Sequence, residues 1–443
     1  MTEHKQTHYN AGSISLPGAV AMGTGVMIGA GIFALTGQVA ELAGRLFPLA
    51  FIIGAVITGF SAYSYIKMSN AWPSSGGVAM ILEKCYGSGA IAAGAALLMA
   101  LSMVIAESLV ARTFATYVLR GFDVSGGPLV PVLAVSVIGF AFLINISGNR
   151  SIGLFSMFMA LLKIGGIAAF GIAALWSSGI GFAASAAGDE GASGLLGFVA
   201  SVALAILAFK GFTTITNSGA EITEPHRNVG RAIMASILVC VLLYLLVAFG
   251  VGSSLPLDRI VAARDFALAE AAEPALGRFG FYLTVLLAAV ATASAVLASV
   301  FAVSRMLAML TDMKMIPHRH FGMPGPIQRH TLVYTVVIAS VLAVFFDLGR
   351  IASLGAFFYL VMDMAVHFGV WKFRRVEIGA SGVILLTALG LDAVVLMAFT
   401  GLKLQQDPLI VLIAVISIAA VFAFERIYLS HWVRTAAAEQ SGT

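Results

Sequence analysis

Charge is the scarcest property of this 443-residue chain: Asp, Glu, Lys and Arg make up 10% of it, against about a quarter in ordinary soluble domains. That deficit excludes a soluble enzyme with a normal hydrated surface. Cysteine is nearly absent as well. Cys85 and Cys240 lie in unrelated segments, a spacing that excludes a disulfide frame and a thiolate metal centre. No GxxxxGK[ST] phosphate loop occurs, so ATP does not drive the protein directly. HExxH and GxSxG segments are missing, and His, Cys and carboxylates form no cluster along the chain. The sequence reads as a non-enzyme with no cofactor or metal.

What is present is apolar. Hydrophobic residues are 60% of the chain and the mean hydropathy is +0.99, which over this length requires many membrane-spanning segments. Only helices satisfy their own backbone in lipid at the observed run lengths, and no alternating barrel pattern appears. Twelve spans are expected, over residues 15–39, 47–69, 91–119, 129–146, 152–176, 195–218, 229–253, 279–311, 332–346, 351–372, 378–400 and 409–429. With the N-terminus inside, fifteen Lys and Arg fall on inner segments, seven on outer ones, and Arg112, Lys163 and Lys210 remain in the membrane. That bias places both termini in the cytoplasm. The polar first 13 residues lack a cleavage pattern, so no signal peptide is expected. The longest outer loop, near residues 256–278, has the composition of a short surface helix.

Two spans should be broken. Gly23, Gly25, Gly29 and Gly31 crowd the first, and each interior glycine costs about 1 kcal/mol relative to alanine. At a break the amides of the following half-helix lose their partners and attract a carboxylate. Close packing through Gly25-x-x-x-Gly29 is the competing reading. The sixth span carries Phe209-Lys210-Gly211-Phe212, followed by a run of threonines. A lysine beside glycine in mid-membrane needs exposed carbonyls or water. Paired breaks five spans apart are the mark of an inverted repeat with a central transport site, so gradient-driven transport is favoured over chemistry.

Four motifs then carry a resemblance to the amino acid–polyamine–organocation permeases. They are Gly29-Ala30-Gly31-Ile32-Phe33, Trp72-Pro73-Ser74-Ser75-Gly76-Gly77, the sixth-span break with Glu221-Ile222-Thr223-Glu224-Pro225-His226-Arg227-Asn228, and Ser304-Arg305-Met306-Leu307-Ala308-Met309 with Met315-Ile316-Pro317. Leu101-Ser102-Met103-Val104-Ile105 and Val110-Ala111-Arg112 resemble the branch related to cationic amino acid transporters. The resemblance implies an all-α integral membrane protein with 12 transmembrane helices, a LeuT-like 5+5 inverted repeat and two C-terminal helices. The expected division is a cytoplasmic tail (1–14), a first repeat (15–176), a second repeat (195–372), two further spans (378–429) and a second tail (430–443).

The resemblance also implies a binding mode. A substrate carboxylate rests on amides near Gly29, Ala30 and Gly31. Its ammonium meets freed carbonyls of Met27, Leu207 and Lys210, with Phe209 and Phe212 flanking. Lys163, mid-way along the fifth span, matches a proton-coupling lysine of relatives. Its natural counter-ion is Glu107 in the third span, with Lys210 or Arg112 as other partners for that carboxylate. Lys210 departs from most relatives; its side chain contacts substrate, balances Glu107, or points away. Glu221 and Arg227 fall at a cytoplasmic gate, while Asp363, His367 and Asp392 read as structural. The expected activity is import of an L-amino acid with a proton across the cell inner membrane. An amine or polyamine carrier, an exchanger, and a non-transporting nutrient sensor remain alternatives. Sodium, through Ser294, Ser299 or Ser304, is less favoured as the coupling ion. A small-molecule substrate and the lipid bilayer are the expected partners, with no nucleic acid.

Overall fold

A computed structural model describes residues 12–124, 126–147, 152–179, 194–313, 315 and 327–441. Lys5, Arg150, Lys314, Arg319 and the Ile316-Pro317 end of the fourth motif lie outside the described residues. Among the described residues every regular element is helical, and the one pairing of β type is an isolated bridge between Ile14 and Ile222.

The order is α1 (Leu16–Met27), a π-helical turn (Ile28–Ile32), α2 (Phe33–Ala43), α3 (Phe47–Ala71), α4 (Gly77–Tyr86), α5 (Ala90–Gly121), α6 (Leu129–Ser147) and α7 (Ile152–Ser178). There follow α8 (Gly194–Phe209), a 3₁₀ turn (Lys210–Phe212), α9 (Thr213–Thr216), α10 (Pro225–Ser254), α11 (Leu257–Ala262) and α12 (Ala267–Asp312). The chain closes with α13 (Ile327–Phe345), α14 (Leu348–Gly369), α15 (Gly382–Gln406) and α16 (Pro408–Ser441). Among the described residues ten helical stretches are long and apolar enough to cross a membrane, and Leu16–Met27 and Arg329–Phe345 are shorter apolar helices. The stretch Phe33–Ala71 counts once because only the 3₁₀ turn Gly44–Leu46 separates α2 from α3.

Local chemistry sets the boundaries. Ser15 caps α1 by accepting from the Gly18 amide at 3.3 Å, and Pro17 occupies its first turn. Pro225 opens α10 after Glu224, whose φ is +49°. Asp347 caps α14 through the Arg350 amide at 2.9 Å. Residues 256–278, expected to form a short surface helix, hold α11 and the head of α12, but Ala267–Ala272 are buried against the bundle and not on its surface. Gly277, with φ +66°, turns the chain there before the apolar part of α12 begins, a backbone angle that favours glycine.

The two longest of these elements facing the core, α5 and α12, pack along one another, and α10 lies against α1, α3 and α7. The interrupted segments meet at the centre: α2 and the π turn pack on α8, and α1 packs on the 3₁₀ turn and α9. Backbone pairing ties the start of α1 to the exit from the second interruption, with Ile14 donating to Glu221 and Thr223 donating to Ile14, both at 2.9 Å. At the far end of α2, Gln38 donates to Asp265 at 2.7 Å and Glu41 is ion-paired with Arg264.

Candidate functional site

Both expected interruptions exist, but neither leaves a frayed backbone. The first is the π turn Ile28–Ile32, flanked by residues with helical dihedrals, so the chain stays wound through Gly29, Ala30 and Gly31. A wider turn accommodates one extra residue while keeping intrahelical bonds, which unwinding would forfeit. The expected open amides are therefore replaced here by a π-helical segment. The second is the 3₁₀ turn Lys210–Phe212 followed by the single turn α9.

Of the carbonyls expected to be free, those of Met27 and Lys210 have side-chain partners. Tyr244 of α10 places its hydroxyl 2.6 Å from the Met27 carbonyl oxygen and 3.1 Å from that of Ala208, bridging the two interruptions. Thr213 donates to the Lys210 carbonyl at 2.9 Å, and Thr214 to the Gly211 carbonyl at 2.7 Å. The Tyr244 ring lies tilted on Phe209, with centroids 4.9 Å apart, and edge-on to Phe51 at 5.8 Å. Phe212 meets Tyr65 edge-on at 5.3 Å. Met27, Leu207, Phe209 and Phe212 are all buried. Packing also explains the glycines. A Cβ on Gly29 would lie 2.5 Å from that of Ala295, and one on Gly31 would lie 2.2 Å from the Tyr244 hydroxyl oxygen and 2.8 Å from the Ala208 carbonyl oxygen. Close helix packing and a helix break thus coincide at the same residues. Tyr244 was invisible to sequence reasoning, because an isolated tyrosine in an apolar helix carries no local signal.

The three membrane-embedded charges of the centre stand apart from one another. Lys163 is 6% exposed and its ammonium donates to the Gly25 carbonyl at 3.4 Å, reaching α1 just before the π turn. Lys210 is 8% exposed and donates to the Ser102 carbonyl at 2.8 Å and the Ser102 hydroxyl at 2.9 Å, with the Tyr359 ring centroid 6.0 Å away. Its side chain therefore points to α5. Glu107 is 0% exposed, and neither carboxylate oxygen has a hydrogen-bond partner. The pairing expected for Glu107 is corrected: it meets neither Lys163, Lys210 nor Arg112, whose guanidinium instead donates to the Ala343 carbonyl at 2.6 Å. Each of these basic groups donates to backbone or hydroxyl oxygen and not to the carboxylate, which leaves Glu107 without a hydrogen bond. The hydroxyls of Ser294 and Ser304 bond to carbonyls of their own helix.

The two residues expected at a cytoplasmic gate lie in different surroundings. Glu221 is ion-paired with Arg305 of α12. The left-handed Glu224 and Pro225 swing the first turn of α10 outward, so Arg227 is exposed. Outside the spans, burial raises the Asp265 carboxyl above its ordinary range, with Arg264 opposing. The hydrogen bond from Arg350, at 2.6 Å, holds the Asp407 carboxyl below it.

Asp363, His367 and Asp392 assemble into one fully buried group, although no such cluster is visible along the chain. Ser61 and Tyr65 of α3 donate to the two Asp363 oxygens at 2.6 and 2.5 Å, and the Ser64 hydroxyl lies 2.8 Å from His367 Nδ1.

This arrangement, two interrupted helices clasped at the centre of an apolar bundle, agrees with a profile described as "Amino acid permease" that matches residues 14–428. The chain belongs to the amino acid permease family. The permease is 28% identical over 392 residues to the inner membrane transport protein YbaT of Escherichia coli, covering 87% of this chain and 89% of that one. It is 27% identical over 399 residues to the branched-chain amino acid permease BcaP of Lactococcus lactis, covering 83% of each. It is 24% identical over 376 residues to cationic amino acid transporter 3 of Arabidopsis thaliana, covering 79% of this chain and 61% of the relative. The permease is thus an amino acid transporter of the amino acid–polyamine–organocation superfamily, a multi-pass membrane protein and not an enzyme.

Proposed function

We propose that the permease imports an L-amino acid together with a proton by alternating access around the two interrupted helices. The observation that carries this reading is Lys163: a buried lysine without a carboxylate partner, donating to Gly25 at the edge of the π turn. A charge in this setting is costly, and a membrane-embedded lysine that is kept despite that cost marks a functional position. When protonated, its ammonium clasps α7 to α1. When deprotonated, it releases that clasp and lets α1 rock, so proton affinity and conformation are linked. The twelve-span, 5+5 arrangement belongs to the same proposal, and the mutual packing of α1–α2 with α8–α9 supports it. So does orientation with both termini on the cytoplasmic side of the inner membrane, by the charge bias of the sequence.

An L-amino acid fits better than an amine. The family match and the relative named a branched-chain amino acid permease support that reading. Accumulation in proteoliposomes under an imposed pH gradient tests the proposal. One proton per substrate and a gradient of one unit allow about tenfold accumulation, the equivalent of 1.4 kcal/mol. Lys163→Ala should abolish that accumulation while retaining binding or exchange. Wild-type accumulation by Lys163→Ala would remove Lys163 from coupling. Exchange unaffected by the gradient in the parent protein would favour an exchanger, and binding without uptake a sensor.

A further inference from the structure

The buried group on α14 and α15 has the geometry of a metal site. His367 Nε2 lies 3.5 Å from an Asp363 oxygen and 3.3 Å from an Asp392 oxygen, and one ligand atom from each residue falls within 4.8 Å of the others. A tetrahedral ion with bonds of about 2.0–2.1 Å spaces its ligand atoms by roughly 3.3–3.4 Å. The three side chains are 0% exposed. His367 Nε2 makes no hydrogen bond, and neither does either oxygen of Asp392. The imidazole nitrogen and the carboxylate oxygens therefore converge on a point between the two helices, at ion-pair distance and without a formed hydrogen bond at Nε2 or at Asp392.

We infer that Asp363, His367 and Asp392 form a binding site for a divalent transition-metal ion, zinc by its ligand set. Two carboxylates and a neutral imidazole balance a doubly positive ion, removing net charge from an apolar bundle. Each uncompensated Asp at a helix centre costs about 2.5–3.5 kcal/mol on insertion scales. One nitrogen with carboxylate oxygens suits zinc, whereas magnesium and calcium prefer all-oxygen shells with more ligands. The outer shell is also present: Ser64 at His367 Nδ1 fixes the ring, and Ser61 and Tyr65 orient Asp363. The ion would pin α15 to α14 and, through those hydroxyls, to α3.

The test uses the full chain, purified in detergent from zinc-supplemented cells, with zinc as the probe. Metal analysis should find about one zinc per chain that survives dialysis against a weak chelator. X-ray absorption should show only nitrogen and oxygen neighbours, at about 2.0–2.2 Å. Asp392→Asn and His367→Gln should lose the metal, and Ser64→Ala should bind it roughly 10–100-fold more weakly. If the two ligand variants fail to fold, the spectrum of the parent protein and the Ser64→Ala affinity decide. Metal-free parent protein would overturn the inference in favour of an ion triad held by protons. Zinc content unchanged in folded Asp392→Asn, or sulfur in the shell, would overturn it equally.

Discussion

Placing one methyl group on Gly31 tests how tightly the two interruptions are clasped. The added Cβ would lie 2.2 Å from the Tyr244 hydroxyl oxygen, 2.9 Å from its Cζ and 2.8 Å from the Ala208 carbonyl oxygen. Comfortable carbon contacts are about 3.5–4.0 Å, so something must move. The carbonyl is helix backbone, and the ring is held between Phe209 and Phe51. Overpacking of this kind costs about 1–3 kcal/mol. Displacing the hydroxyl from Met27 and Ala208 adds about 1 kcal/mol, since one proton serves one strong bond at a time. Gly31→Ala should therefore destabilise the protein by roughly 2–4 kcal/mol and remove substrate binding. Tyr244→Phe alone keeps the ring contacts and should cost about 1 kcal/mol. Combining the two loses the hydroxyl bond only once and removes the worst overlap. The double variant should then be less destabilised than the sum of the singles by about 1 kcal/mol or more. Reversible unfolding in mixed micelles supplies the four free energies. Additivity within about 0.5 kcal/mol, or a neutral Gly31→Ala, would refute the clasp.

Lys210→Met removes both hydrogen bonds to Ser102 while keeping the Lys210 carbonyl, so it should change substrate preference in competition uptake more than the response to a pH gradient. Glu221→Gln breaks the ion pair with Arg305 and should raise cysteine-reagent labelling of a probe in the first turn of α1, while Arg227→Gln should not. The Asp407 carboxyl, held low by Arg350, contributes stability that is fully present above the ordinary Asp range near pH 4 and is lost as pH falls through its lower folded value. For a half-exposed pair that contribution is about 0.2–1 kcal/mol. Acid unfolding of Arg350→Gln should lack this part of the pH dependence, and an unchanged profile would count against it.

The apolar runs located nearly all the helices, because lipid-facing composition is a local property. Glycine density marked the first interruption correctly, but whether the chain unwinds or widens depends on neighbours such as Tyr244, more than 200 residues away. Lys163 was legible as an anomaly in an apolar run, and its reach to α1 follows from its helix position. Glu107 was equally legible as an anomaly, yet its isolation could not be read from the chain. Opposite charges in one apolar sequence invite pairing, and only the bundle decides which carbonyl each cation meets first. The same limit hid Asp392 from Asp363 and His367, and Arg305 from Glu221.

The π turn at Ile28–Ile32 holds one residue more than an α-helical turn needs. That surplus is a reserve of rotation. If the widened turn migrates by one register along the helix, the residue it passes turns by about 100° around the axis, the angular step of a 3.6-residue helix. Carbonyls and amides exchange partners in sequence, so the chain never pays for a wholly broken strand of bonds. Gly29 and Gly31, without side chains to sweep through α8 and α12, are suited to such a passage. The interruption can then act as a bearing, on which α2 swivels against α1 while both remain helical.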